Sequence, residues 1–230
     1  GEETITYFNN SPDSLKSIRI KLQHDRYRKG AARAFDVTPG DVEEEGTHIE
    51  AVTYNGQLLP EKQRNRTATF LDISLKETPV APKSSVTLSL KWSYILPLGE
   101  DAARECVCDS TSFMVAYWYP QIAVYDDLNG WASHPYTGLQ EFYNDFSDYE
   151  VTLSLPPGFQ ATLFAAEPEV QNPIAMAWDA RGRLWVAENY TYAERALKFD
   201  LRFRDRIVVL ADEGGDGRHS ARRVYSEDFQ

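Results

Sequence analysis

Short segments of alternating apolar and polar residues, cut at close intervals by turn-forming residues, restrict this chain to an antiparallel β fold. The first two are Thr4-Ile5-Thr6-Tyr7-Phe8 and Ile18-Arg19-Ile20-Lys21-Leu22, with Asn9-Asn10-Ser11-Pro12-Asp13 as the turn between them. His48 to Tyr54 and Leu58-Leu59 flank Asn55-Gly56, a pair that tolerates the positive φ of a tight hairpin. Arg66 to Leu75 is predicted as one further strand. After a turn bounded by Pro79 and Pro82, Val86 to Ile95 sets Leu88, Leu90 and Trp92 on one face. His24 to Val42 breaks the pattern, carrying Arg26, Arg28, Lys29 and Arg33 ahead of Thr38-Pro39-Gly40, and is predicted as an excursion with a short helical turn. These cations make either an anion site or a solvated loop. Glu43-Glu44-Glu45 just beyond them favours the loop.

At 230 residues the chain has room for one large β domain or two small ones, and either buries a real core. Its 42% hydrophobic and 13% aromatic content belong to a folded chain. A net charge of -11 argues against nucleic acid, whose binding depends on Lys and Arg replacing counterions along phosphates. No segment reaches the roughly 18 apolar residues of a membrane helix. The acidic opening Gly1-Glu2-Glu3 runs directly into a strand and does not read as a signal peptide. Cys106 and Cys108 are too close in sequence for an ordinary mutual disulfide. They read as two loop thiols rather than metal ligands, because no second pair or nearby His completes a tetrahedral set.

From Phe113 to Phe159 the chain is dense in aromatic residues: two strand-like pieces, Phe113 to Tyr119 and Tyr149 to Leu155, flank a long loop crowded with Tyr, Trp and Phe. Tyr117-Trp118-Tyr119-Pro120, Val124-Tyr125-Asp126-Asp127 and Glu141-Phe142-Tyr143 follow one another in it. In this order the three motifs closely resemble the end of the amino-terminal β-domain of bacterial M1-family zinc aminopeptidases. The strand at Glu3-Thr4-Ile5 and the Asn9-Asn10-Ser11-Pro12 turn extend the likeness over about residues 1–159. The resemblance implies a saddle-like β-sandwich that packs on a catalytic domain and helps wall its substrate cleft. In that role Trp118, Tyr119, Tyr125, Trp131, Tyr136, Phe142 and Tyr143 are interface candidates, and the partner is an M1 catalytic domain or another protein surface. Zinc and peptide substrate belong, by the same resemblance, to the intact enzyme.

After Phe159 the character changes. Trp178-Asp179-Ala180-Arg181-Gly182-Arg183-Leu184-Trp185 reads as strand, tight turn and strand, with the two tryptophans placed to pack on neighbouring sheets. Pro156-Pro157-Gly158-Phe159 and Leu163-Phe164-Ala165-Ala166-Glu167-Pro168 resemble the opening of the first β-propeller blade in membrane-bound-type dehydrogenases of planctomycete-like bacteria, and Arg206 to Leu210 and Asp216-Gly217-Arg218 fit its outer strands and loop. This second likeness covers about residues 155–230. It implies an incomplete propeller-like segment, fused to the first at Leu155 to Phe159. Both families are commonly exported, which implies a periplasmic or extracellular location.

Catalytic signatures are missing. M1 enzymes hold zinc through His-Glu-x-x-His on a helix, and the four histidines here are followed by Asp25, Ile49, Pro135 and Ser220. There is no Gly-x-Ser-x-Gly elbow, P-loop or dinucleotide fingerprint. Asp126 and Asp127, with Glu141 and Asp145, are conceivable acid-base carboxylates, but neighbours on a strand point to opposite faces, so loop solvation is favoured. Asp212-Glu213-Gly214-Gly215-Asp216-Gly217 resembles a degenerate calcium loop through Asp212 and Asp216. Arg223 stands where the final bidentate acid belongs, and a plain glycine turn is favoured. His134 beside Pro135 reads as structural. The sequence therefore points to an all-β chain, a sandwich over residues 1–157 and a partial propeller over 158–230. No catalytic residue and no cofactor are expected in it. The function implied is that of a non-catalytic M1 amino-terminal region, with a propeller-dehydrogenase fragment or a protein-binding β-module as alternatives.

Overall fold

A computed structural model describes residues 1–34, 46–98, 105–107, 110, 113–138, 143–152, 154–155, 157–190 and 204–229. The chain is all-β and divides into two compact units, Gly1–Asp148 and Tyr149–Gln230.

In the first unit, β1 (Glu2–Phe8), β3 (His48–Tyr54), β4 (Gln57–Leu58) and β7 (Ser85–Ser93) form an antiparallel sheet in the order β1-β7-β3-β4. A second sheet has the order β10-β2-β6-β5, built from β2 (Ser17–Lys21), β5 (Arg64–Thr67), β6 (Phe70–Ser74) and β10 (Gln121–Ile122). The alternation read from the sequence decides the inward faces. Ile18 and Ile20 of β2 meet Leu88, Leu90 and Trp92 of β7 in one shared core, with Val52, Leu71 and Ile73. Each such aliphatic side chain contributes about 1.5–3 kcal/mol by leaving water. The predicted hairpin at Asn55-Gly56 joins β3 to β4, with φ of 47° and 79° at the two turn residues.

Arg66 to Leu75 is two strands rather than one. Ala68 sits at φ 51° and reverses the chain, so that Arg66 pairs with Leu71 and Thr67 with Phe70. Alternation alone does not reveal such a reversal, because Ala68-Thr69 carries none of the usual turn residues. The other strands are short: β8 (Glu105–Val107) pairs with β9 (Phe113–Val115), and β11 (Tyr125–Asp126) with β12 (Gly130–Trp131). The strand expected over Phe113 to Tyr119 thus ends at Val115.

The second unit is a meander of four consecutive antiparallel strands, β13 (Pro173–Trp178), β14 (Leu184–Glu188), β15 (Asp205–Ala211) and β16 (Ala221–Phe229). The predicted turn after Trp178 closes β13 onto β14. Asp179 accepts the amides of Arg181 and Arg183 and the Trp185 indole, and these bonds hold its carboxyl below the usual carboxylate range. Leu184, Val186, Val208 and Leu210 form the core, covered on one face by Phe164, Ala165 and Val170. The residues described between Tyr149 and Leu155 form no strand, contrary to the expectation for that segment.

Candidate functional site

The unusual feature of the first unit is a polar cluster inside an apolar sandwich. After β2 ends at Lys21, Leu22 leads the chain into a 3-10 segment, Gln23–Tyr27, in which every residue is buried. Asp25 is fully enclosed. It accepts a bidentate pair from Arg66 at 2.7 and 2.6 Å and the Thr47 amide at 2.9 Å, a geometry that satisfies both carboxylate oxygens. Arg26, equally enclosed, places Nη2 3.0 Å from Glu105 Oε2. Its guanidinium carbon lies 4.6, 5.0 and 5.3 Å from the ring centroids of Tyr27, Tyr117 and Tyr136, an aromatic box around a buried cation. His24 stacks on Tyr94 at 4.1 Å and turns Nδ1 toward Glu105 Oε2 at 3.5 Å.

The basic cluster is not solvated as a whole: Arg26 is drawn into the interior, while Lys29 is exposed and Arg28 and Arg33 are half-buried. Arg26 is a core residue neutralised by Glu105, and Arg33 donates to the carbonyls of Arg26 and Arg28. Glu43 to Glu45 lie outside the described residues. A cleft of about 10 Å3 opens between His24, Thr47, Trp92, Tyr94 and Tyr117, space for about one water and no more. The cluster's two carboxylates are each paired with an arginine, Asp25 with Arg66 and Glu105 with Arg26.

The aromatic loop is laid over the outer face of the second sheet and pinned by two cations. Arg19, paired with Asp72 at 2.7 Å, also donates to the Ala132 carbonyl. Lys21 donates to the Tyr143 carbonyl at 2.8 Å and to Asn144, and burial pushes its ammonium down to about 8. Most of the candidate aromatics are used in this seating. Trp131 packs against Tyr7 and Tyr125, and its indole donates to the Ser17 carbonyl. Tyr125 donates to Asp13, Tyr119 lies against the core, and Tyr136 belongs to the arginine box. Trp118 and Tyr143 face outward, and Phe142 lies outside the described residues.

An apolar surface that the sequence did not single out stands next to Trp118. Pro97 accepts the Val107 amide and Leu98 bridges to Val107, so that this segment, β8 and β9 form a small ribbon. On it Ile95, Leu98, Phe113, Met114 and Val115 are 71, 71, 60, 50 and 41% exposed, beside Trp118 at 40%. Exposed apolar side chains brought together on one ribbon are of the kind found where proteins associate. The alternation rule hides it, since a three-residue strand with both faces exposed has no period to read.

The remaining candidates resolve into local structure. Asp126 accepts the amides of Leu128 and Asn129, which hold its carboxyl below the ordinary range, and Glu141 lies outside the described residues. His134 is exposed, Cys106 is buried, and Cys108 lies outside the described residues. Asp212 accepts the amides of Gly215, Asp216 and Gly217, while Asp216 accepts that of Arg218. Those oxygens are engaged in the hydrogen bonds of a glycine-rich turn. Among the described residues no three His, Cys, Asp or Glu side chains gather as metal ligands. In the second unit Glu188, also missed by sequence reasoning, is buried and answered by Arg206, Tyr190 and the Gln171 amide. Among the described residues no helix is long and apolar enough to cross a membrane.

Fold and site together define an all-β protein of two units, with a buried ion cluster and an apolar ribbon in the first. A family model for a domain of unknown function, DUF7133, matches residues 149–230, the second unit alone. No curated protein and no solved structure matches the chain.

Proposed function

We propose that residues 1–148 are a non-catalytic docking unit, of the kind that forms the amino-terminal region of M1-type zinc metallopeptidases. The observation that carries the reading is the apolar ribbon of Ile95, Leu98, Phe113, Met114 and Val115 on a sandwich whose interior charges are internally neutralised. A scaffold of that construction presents a surface and performs no turnover itself. The partner is an M1 catalytic domain, which would supply the zinc and bind the peptide. The ordered motifs around Tyr117, Val124 and Tyr143 support that choice of partner.

The purified chain is expected to carry no stoichiometric zinc and to leave aminoacyl-nitroanilides intact, while retaining a separately produced M1 catalytic domain on a column. Phe113→Asp should abolish retention, and Trp131→Ala, which perturbs the loop's seating, should weaken it less. Zinc with turnover, or retention unaffected by Phe113→Asp, would refute the proposal. A second reading, for residues 149–230, is a blade of a propeller dehydrogenase. It is supported by the four-strand meander with apolar residues on both faces, Val186 and Val208 on one and Trp185 and Val209 on the other.

A further inference from the structure

The outer strand of the second unit is a bare edge. Strand β13, Pro173-Ile174-Ala175-Met176-Ala177-Trp178, pairs with β14 on one side, and among the described residues nothing pairs on its other side. All six residues are exposed, with Ile174, Met176 and Trp178 at 61, 66 and 59%. Natural sheets guard such an edge with a lysine, an inward charge or a bulge near its middle. This one carries no charge at any of its six positions, although the chain has 59 charged residues counting 24 Lys+Arg and 35 Asp+Glu. Its single irregularity lies at its start, between Pro173 and Ala175.

We infer that β13 pairs antiparallel with β13 of a second copy of this chain, about a two-fold axis through Met176. Of the registers such an axis allows, the one centred on Met176 pairs five residues of the strand without calling on Pro173, which has no amide hydrogen to donate. A two-fold axis normal to the sheet keeps each face on its own side, so paired positions must be an even number of residues apart. Centred on Met176, Ile174 meets the other copy's Trp178, Met176 meets Met176, and Ala175 meets Ala177. Met176 and Trp178, registered with Val186 and Leu184 of the buried row, then face large side chains of the other copy. Small face small on the other side. Cross-strand pairs of this kind are what stabilise a sheet.

Charge favours the same occupant. Two copies of a chain with net charge -11 repel over most of their surfaces, and an uncharged strand is where they approach at least cost. The exposed parts of Ile174, Met176 and Trp178 amount to roughly 400 Å2 per copy, about half of what one side of a standard interface buries. The dimer is accordingly weak, dissociating in the micromolar range.

Sedimentation or light scattering of the full chain between about 5 and 200 μM reads the equilibrium. A concentration-dependent dimer is expected. Met176→Lys, which sets two ammonium groups against each other on an already exposed position, should give monomer throughout with an unchanged far-ultraviolet spectrum. Register is read by oxidation: Met176→Cys should form a covalent dimer well above the parent level set by Cys106 and Cys108, and Ala175→Cys should not. A chain that stays monomeric at every concentration, a Met176→Lys variant that still dimerises, or equal cross-linking at 175 and 176 would each overturn the inference.

Discussion

Removing one half of the buried Arg26–Glu105 pair gives the sharpest quantitative test. Both side chains are excluded from water, Glu105 wholly so, and the guanidinium sits among three tyrosine rings. In Glu105→Ala the carboxylate opposite Arg26 is lost while the cation stays enclosed. Breaking one side of a buried pair costs about 3–5 kcal/mol, because the surviving charge keeps its desolvation penalty without its partner. Domains of this size are stable by only about 5–15 kcal/mol, so the loss is a large fraction of the total. Urea unfolding followed by tyrosine and tryptophan signals should show the first unit's midpoint falling, with the slope unchanged. Arg26→Met combined with Glu105→Leu, which removes both charges and keeps the volume, should recover to within about 2 kcal/mol of the parent. The cation–π contacts place a ceiling on that recovery, since about 0.5–2 kcal/mol of ring attraction goes with the guanidinium. If Glu105→Ala changes stability by less than about 1 kcal/mol, the pair is not sealed from solvent and the account of the scaffold fails.

Burial pushes the Glu3 carboxyl up to about 8, so the folded chain holds a proton that the unfolded chain releases near 4.5. Stability should therefore decline as pH rises through that window, and Glu3→Gln should be neutral at pH 5 but raise stability at pH 9 by roughly 2–4 kcal/mol, measured as melting temperature against pH. A parallel decline in parent and variant would assign the slope to other groups. Asn9, fully buried, donates to the carbonyls of Asp13, Val80 and Ala81 and accepts from Ser11. Asn9→Ala should cost about 2–3 kcal/mol in the first unit's urea transition, because several buried groups lose their partner together. Val186 is wholly buried in the smaller core, and Val186→Ala should lower the second unit's melting by about 1–3 kcal/mol while leaving the first unit's transition in place; equal shifts in both would mean that the units unfold as one.

Much of this architecture is legible in the order of residues, and the reasons are local. Period-two alternation in Ile18–Leu22 and Val86–Trp92 names the inward residues correctly, because one buried face admits a single register. Asn55-Gly56 and Asp179 to Gly182 declare their hairpins through the φ angles their backbones tolerate. Other features depend on partners far apart in the chain. Arg26, Arg28, Lys29 and Arg33 look like a solvated basic run until Glu105 arrives from a different strand. The aromatic loop looks like a free surface until Arg19 and Lys21 draw its carbonyls onto the second sheet, which turns Trp131 and Tyr136 inward.

The sequence by itself determined the class of fold, the main hairpins and the core faces of the long strands, since those follow from side-chain period and turn chemistry within a few residues. Only the tertiary structure decided which charges are buried and matched, which aromatics hold the loop in place, and which apolar residues remain outside on β9 and β13. Burial depends on everything that packs around a residue, and electrostatic neutrality in a low-dielectric interior depends on a partner whose distance along the chain has no bearing on its distance in space.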